Sequence, residues 1–203
     1  RACAAPARRK DGLILEPLYI ALGVIAAVLL IPIVWLIATY NRFVRLRQHI
    51  KESWSDIDVE LKRRYDLVPN LVETVKGYAK HERETLEIVV DARNRAAQSH
   101  GSATEQAVDE SAMLIGLKKI FALAEAYPDL KADVHYLALQ KELSLTEDRI
   151  AASRRFYNAN VREMNQLRQA FPTNIVANMF GFENGSFFEL ASEAERVVPR
   201  VDM

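Results

Sequence analysis

The chain has 203 residues, enough for one helical domain of ordinary size once a membrane-length apolar stretch is set aside. Its 27 basic residues match its 27 acidic ones, so no basic excess supports binding to nucleic acid. Seven glycines and seven prolines are too few for an all-β chain, and the single cysteine, Cys3, excludes an intramolecular disulfide.

Residues 1–16 form a basic N-terminal extension, rich in Ala and Arg and without an acid in its first ten positions. Two readings fit it: a processed organellar targeting segment or a truncated start. Cys3 follows Arg1 and Ala2 rather than a small apolar run, which argues against lipid attachment.

Residues 17–40 are predicted to be a transmembrane helix. No charge occurs between residues 18 and 40, a length that spans the roughly 30 Å hydrocarbon core of a bilayer. Tyr19 near one end and Trp35 and Tyr40 towards the other suit the interfacial aromatic belt. Pro32 predicts a mild kink. Arg42, Arg45 and Arg47 follow at once, where lipid headgroups would meet them. Arg1, Arg8, Arg9 and Lys10 before the span balance Arg42, Arg45, Arg47 and Lys51 after it. Asp11 and Glu16 dilute the leading side, and Lys62, Arg63 and Arg64 extend the trailing one. The expected orientation therefore puts the soluble part on the cytoplasmic or equivalent side, with an organellar membrane as the alternative compartment.

Residues 41–171 are predicted to form an antiparallel four-helix bundle. Phe43, Ile50 and Ile57 fall seven apart, as do Trp54, Leu61 and Val68, so the span continues without a turn into the first bundle helix. Arg45, Glu52, Asp56 and Lys62 lie on the opposite, solvated face, and Glu60 is positioned to pair with Arg64 one turn on. Pro69 is expected to end this helix and open a second one reaching about Gln98, in which Gly77 marks a close approach. A polar loop at 98–103 precedes a third helix starting at Thr104 and stopping near Pro128. The fourth runs over residues 129–171, with Tyr136, Leu143, Ile150, Tyr157, Met164 and Phe171 at a strict period of seven. Its companion seam, Leu139, Thr146, Ser153, Asn160 and Leu167, has a polar middle that specifies register.

Residues 172–203 form an apolar tail and a flexible C-terminus. Ile175, Val176, Met179, Phe180, Phe182, Phe187 and Phe188 are too apolar to stand in water, so they are expected either to dock on the bundle or to contact a membrane or protein partner. Up-down topology brings the end of the fourth helix back to the membrane.

No catalytic, cofactor-binding or metal-binding constellation is expected. His81-Glu82 is followed by Thr85 where a zincin needs a second histidine, and His49, His100 and His135 are scattered. No Glu-x-x-His pair and no Gly-rich phosphate loop occurs.

The run YNRFVRLRQHIKESWSDIDVELKRRYDLVPNLVETVKGYAKHERETLEIVVDARNRA resembles the signature block of the LemA family, with Arg64-Tyr65-Asp66-Leu67-Val68-Pro69-Asn70-Leu71-Val72 its most specific part. ALQKELSLTEDRIAASRRFYNANVREMNQLRQAFPTNIVANMFGF is similar to that family's C-terminal block, so the resemblance covers about residues 40–182. It implies one N-terminal transmembrane helix followed by a four-helix bundle, in bacteria or organelles of bacterial descent, without an established catalytic activity. A magnetosome-membrane relative suggests membrane organisation. The basic extension departs from the family, whose members start almost directly at the span. The expected function is a non-enzymatic, membrane-anchored scaffold or adaptor holding a protein partner at the bilayer. The alternative is an accessory subunit of a larger membrane complex.

Overall fold

The computed structural model describes residues 12–99 and 101–190, with side chains from residue 19 onward. The predictions made for Arg1, Cys3, Arg8, Arg9, Lys10, Asp11, the Glu16 side chain, His100 and residues 191–203 lie outside the described residues. All regular structure among the described residues is helical: α1 (Gly12–Tyr78), α2 (Arg83–Gln98), α3 (Ala103–Ala124), α4 (Pro128–Lys131), α5 (Val134–Gln169) and α6 (Thr173–Met179).

α1 is a single helix of 67 residues, which at 1.5 Å per residue is about 100 Å long. It is longer than the sequence suggests, because Pro69 does not break it. The apolar register passes straight through: Ile57, Leu61, Val68, Leu71 and Val75 are all buried, while Pro69 points outward. Proline supplies no N–H, so the Tyr65 carbonyl one turn earlier loses its helical partner. Arg93 on α2 replaces it, donating from Nε to Tyr65 O at 3.0 Å. Tertiary contact thus offsets the lost hydrogen bond, and the chain turns instead at residues 79–82. Gly77 stands in open space and marks no close approach. The tight contact lies at Gly116 on α3, where an added Cβ would sit 3.2 Å from Val89 Cγ2 on α2.

The helix pairs are antiparallel. Along α1 and α5 the partners run in opposite senses: Arg42 with Glu163 at 3.0 Å, Arg63 with Glu142 at 3.6 Å, and Tyr78 with Asp133 at 2.9 Å. Along α2 and α3, Ala96 meets Gln106 and Val89 meets Gly116. One apolar cluster joins α1, α2, α3 and α5 into the four-helix core. α3 begins one turn-position earlier than the Thr104 start, because Ser102 and Glu105 form a reciprocal capping box. The predicted 129–171 helix divides, since Asp133 takes an extended conformation and caps α5 through Tyr136 N at 2.8 Å.

The α5 heptad holds at Tyr136, Leu143, Ile150, Tyr157 and Met164, all buried. Phe171 departs from it and is exposed, because α5 ends at Gln169, ahead of Pro172. In the companion seam Thr146 and Leu167 are buried, and Leu139, Ser153 and Asn160 are half-buried. Asn160 bonds Ser53 Oγ at 3.3 Å, linking α5 to α1 at this polar level.

Candidate membrane interface and the centre that supports it

Among the described residues, nothing packs against most of the apolar part of α1 from Tyr19 onward. From Tyr19 to Trp35 its side chains are exposed, and it is the one helix among the described residues long and apolar enough to cross a membrane. Tyr19 and Trp35 lie in this bare part. Cover begins at Leu36, Thr39 and Tyr40, where a second apolar cluster starts. That cluster joins Phe43 and Leu46 of α1, Met164 and Leu167 of α5, Val176 and Ala177 of α6, and Phe182. The bundle therefore closes over α1 at the level where the charge-free stretch ends.

The predicted interface residues behave differently from one another. Arg42 is exposed and paired with Glu163. Arg45 is exposed, and the Arg47 guanidinium lies over the Phe182 ring, 5.4 Å from its centroid. Tyr40 is half-buried between Phe180 at 4.7 Å and Phe182 at 5.8 Å.

The structure splits the seven apolar tail residues by face. Val176, Phe182 and Phe188 belong to the core rather than to a partner surface. Phe182 stacks on Phe43 at 4.7 Å, and Phe188 sits edge-on to Trp54 at 5.6 Å. Phe187 is half-buried against the main cluster. Ile175, Met179 and Phe180 remain exposed. Gly181 makes this division, since its φ of 66° is the left-handed conformation that ends α6. The turn lets Phe182 N donate to Ala177 O at 2.9 Å and swings the Phe182 ring inward.

Beyond Gly181 the described tail, residues 182–190, pairs with no strand among the described residues, and α5 side chains satisfy several of its polar groups. Arg168 Nε donates to Phe182 O at 2.9 Å. Asn165 pairs with both backbone groups of Gly185, at 2.8 and 3.0 Å. Asn158 does the same for Phe188, at 2.9 and 3.0 Å. These two asparagines, seven residues apart on one face of α5, clasp the tail along the bundle. Sequence reasoning passed over both; their spacing was the available signal.

A buried ionic centre lies deeper. Arg64 on α1 donates to Glu110 on α3 and Glu147 on α5, and it does not form the predicted pair with Glu60. Glu60 instead faces Arg63 at 3.6 Å and Arg149 at 3.9 Å. Tyr65 O–H and Gln106 Nε2 also donate to Glu110 Oε1, the latter at 3.0 Å. Burial pushes the Arg64 guanidinium towards deprotonation, yet Glu147 and Glu110 outweigh it and hold the pKa above the ordinary value. Burial, then Glu110, raises the Tyr65 phenol, so it stays a neutral donor. With Arg64 and Glu110 closed off from solvent, the cluster joins three helices and offers no open reaction site.

A model of the LemA family matches residues 53–203, most of the chain and nearly all of its helical bundle. The chain belongs to the LemA family. It is 31% identical over 158 residues to Protein LemA of Metamycoplasma hominis, covering 77% of this chain and 71% of that one. Two magnetosome proteins are also similar. Magnetosome protein MamQ 2 of Paramagnetospirillum magneticum is 27% identical over 179 residues, covering 76% of this chain but only 66% of that protein. Magnetosome protein MamQ of Magnetospirillum gryphiswaldense is 24% identical over 212 residues, covering 91% and 78%.

In this LemA-family chain the string from Arg64 to Val72 now has a physical reading. Arg64 and Tyr65 enter the ionic centre, and Pro69 frees the carbonyl that Arg93 binds. Val68, Leu71 and Val72 fill the core, while Asp66 is exposed on the outer face of α1.

Proposed function

We propose that this LemA-family chain is a non-enzymatic scaffold that holds a protein partner at a membrane. The supporting observation is that one unbroken helix carries both the apolar span and the bundle core, so no flexible joint separates anchor from platform. A bundle mounted this way keeps a set height and tilt over the bilayer, which suits positioning a partner better than turning over a substrate. The relatives named for the magnetosome accord with a role in membrane organisation.

Native-size separation in mild detergent tests the scaffold reading. A monomer or small homo-oligomer is the expected result. Permanent residence in a large complex of fixed composition would favour an accessory subunit instead.

The proposed orientation places the bundle on the cytoplasmic or equivalent side, because Arg42, Arg45 and Arg47 follow directly on the span. A membrane-impermeant maleimide should then label Cys3, the only thiol, in intact cells or organelles. Labelling only after permeabilisation reverses the orientation.

A further inference from the structure

We propose that α6 and the phenylalanines flanking it are a second membrane contact, with Phe171, Ile175, Met179 and Phe180 entering the boundary between headgroups and acyl chains beside the point where α1 emerges. This rests on the apolar stretch of α1 crossing the bilayer.

Three observations carry it. First, these four side chains are 81%, 51%, 63% and 45% exposed, a density of bare large apolar groups not repeated on the bundle surface among the described residues. Ile175 and Met179 are one turn apart on one face of α6, while Val176 and Ala177 bury the other face in the core. The helix is thus apolar on both sides, and only one side is covered. Second, its height is set by α1. Phe180 lies 4.7 Å from Tyr40, and Leu36 and Tyr40 pack against the cluster that α6 completes. Leu36 and Tyr40 belong to the last turns of the charge-free stretch, so placing that stretch in a bilayer brings α6 to its surface. Third, the surroundings suit anionic headgroups. Along α1, Arg42, Arg45, Arg47 and Lys51 precede its first acid, Glu52; Arg42 pairs with Glu163, and the exposed Arg45, Arg47 and Lys51 outnumber the exposed Glu183 that follows α6. A second copy is a poor occupant, because a seven-residue helix only about 10 Å long presents far less than the roughly 800 Å² per partner of a stable interface. Shallow insertion of such a face beside basic residues is the ordinary behaviour of an interfacial helix.

The test uses the full chain with Cys3→Ser, one copy per nanodisc of phosphatidylcholine and phosphatidylglycerol. An environment-sensitive fluorophore is attached in turn to Met179→Cys, Ile25→Cys and Val134→Cys. The Met179 probe should be blue-shifted and quenched more by lipids with a nitroxide near the headgroup than by lipids with one at mid-bilayer. The Ile25 probe should show the reverse preference, and the Val134 probe, at the far end of α5, should show neither effect. A water-like Met179 probe beside a quenched Ile25 probe overturns the α6 contact alone. Failure of both overturns the anchor as well. A blue shift at Met179 that is absent with one copy per nanodisc, appears only in nanodiscs loaded with two, and brings no nitroxide quenching assigns the face to a second copy and also overturns the proposal. Replacing phosphatidylglycerol by phosphatidylcholine should reduce the Met179 quenching, and unchanged quenching removes the role given to the basic residues.

Discussion

Replacing Arg64 by methionine is expected to destabilise the bundle by about 3–5 kcal/mol, a large share of the roughly 5–15 kcal/mol that holds a domain together. The guanidinium is the cation between Glu110, which is fully buried, and Glu147, which is mostly buried. Removing it leaves the Glu110 carboxylate without its ion-pair partner and without a route to solvent, and that desolvation sets the cost. The pair itself contributes little net stability, because burying both charges cancels most of their attraction. Arg64→Met combined with Glu110→Leu should therefore recover most of the loss, with Glu147 reaching solvent at its partly open edge. Urea unfolding of the full chain in detergent, followed by helix circular dichroism, measures both variants. A cost below about 1 kcal/mol for Arg64→Met would place the residue with surface ion pairs and contradict its burial.

Phe188→Ala should cost about 3–5 kcal/mol, since its ring is fully buried in the main cluster beside Trp54. Phe171→Ala, only seventeen positions earlier and equally aromatic, should change stability by no more than about 0.5 kcal/mol, because that ring is exposed. The contrast separates a tail that completes the core from one that merely lies over it. Asn158→Ala and Asn165→Ala should each cost about 1 kcal/mol by releasing the clasped backbone of Phe188 and Gly185. Deleting residues 173–203 is accordingly expected to abolish cooperative melting. A truncated chain that keeps its helicity and melts in one sharp transition would show the bundle to be complete without its tail.

Much of the architecture was legible because helices write their buried face into the chain as a period. The heptads of α1 and α5 and the uncharged stretch predicted a span running into a bundle. Two misreadings had their correction in the same period. Arg64 stands seven residues after Ile57 and seven before Leu71, a core position, yet an arginine there reads as a surface charge. The register also crosses Pro69 without a shift in phase, so the pattern outvoted the proline. Neither was decidable locally, because an arginine is buried, or a proline tolerated, only when distant groups supply partners.

By itself, then, the sequence determined the membrane-length stretch, the all-helical bundle and the family of the chain. Tertiary structure alone decided that Glu110 and Glu147 meet Arg64, that Arg93 takes the carbonyl freed by Pro69, and that α6 covers one of its apolar faces and leaves the other bare. Periodicity records which face of a helix avoids water. It does not record which distant polar group, or which bilayer surface, stands opposite that face.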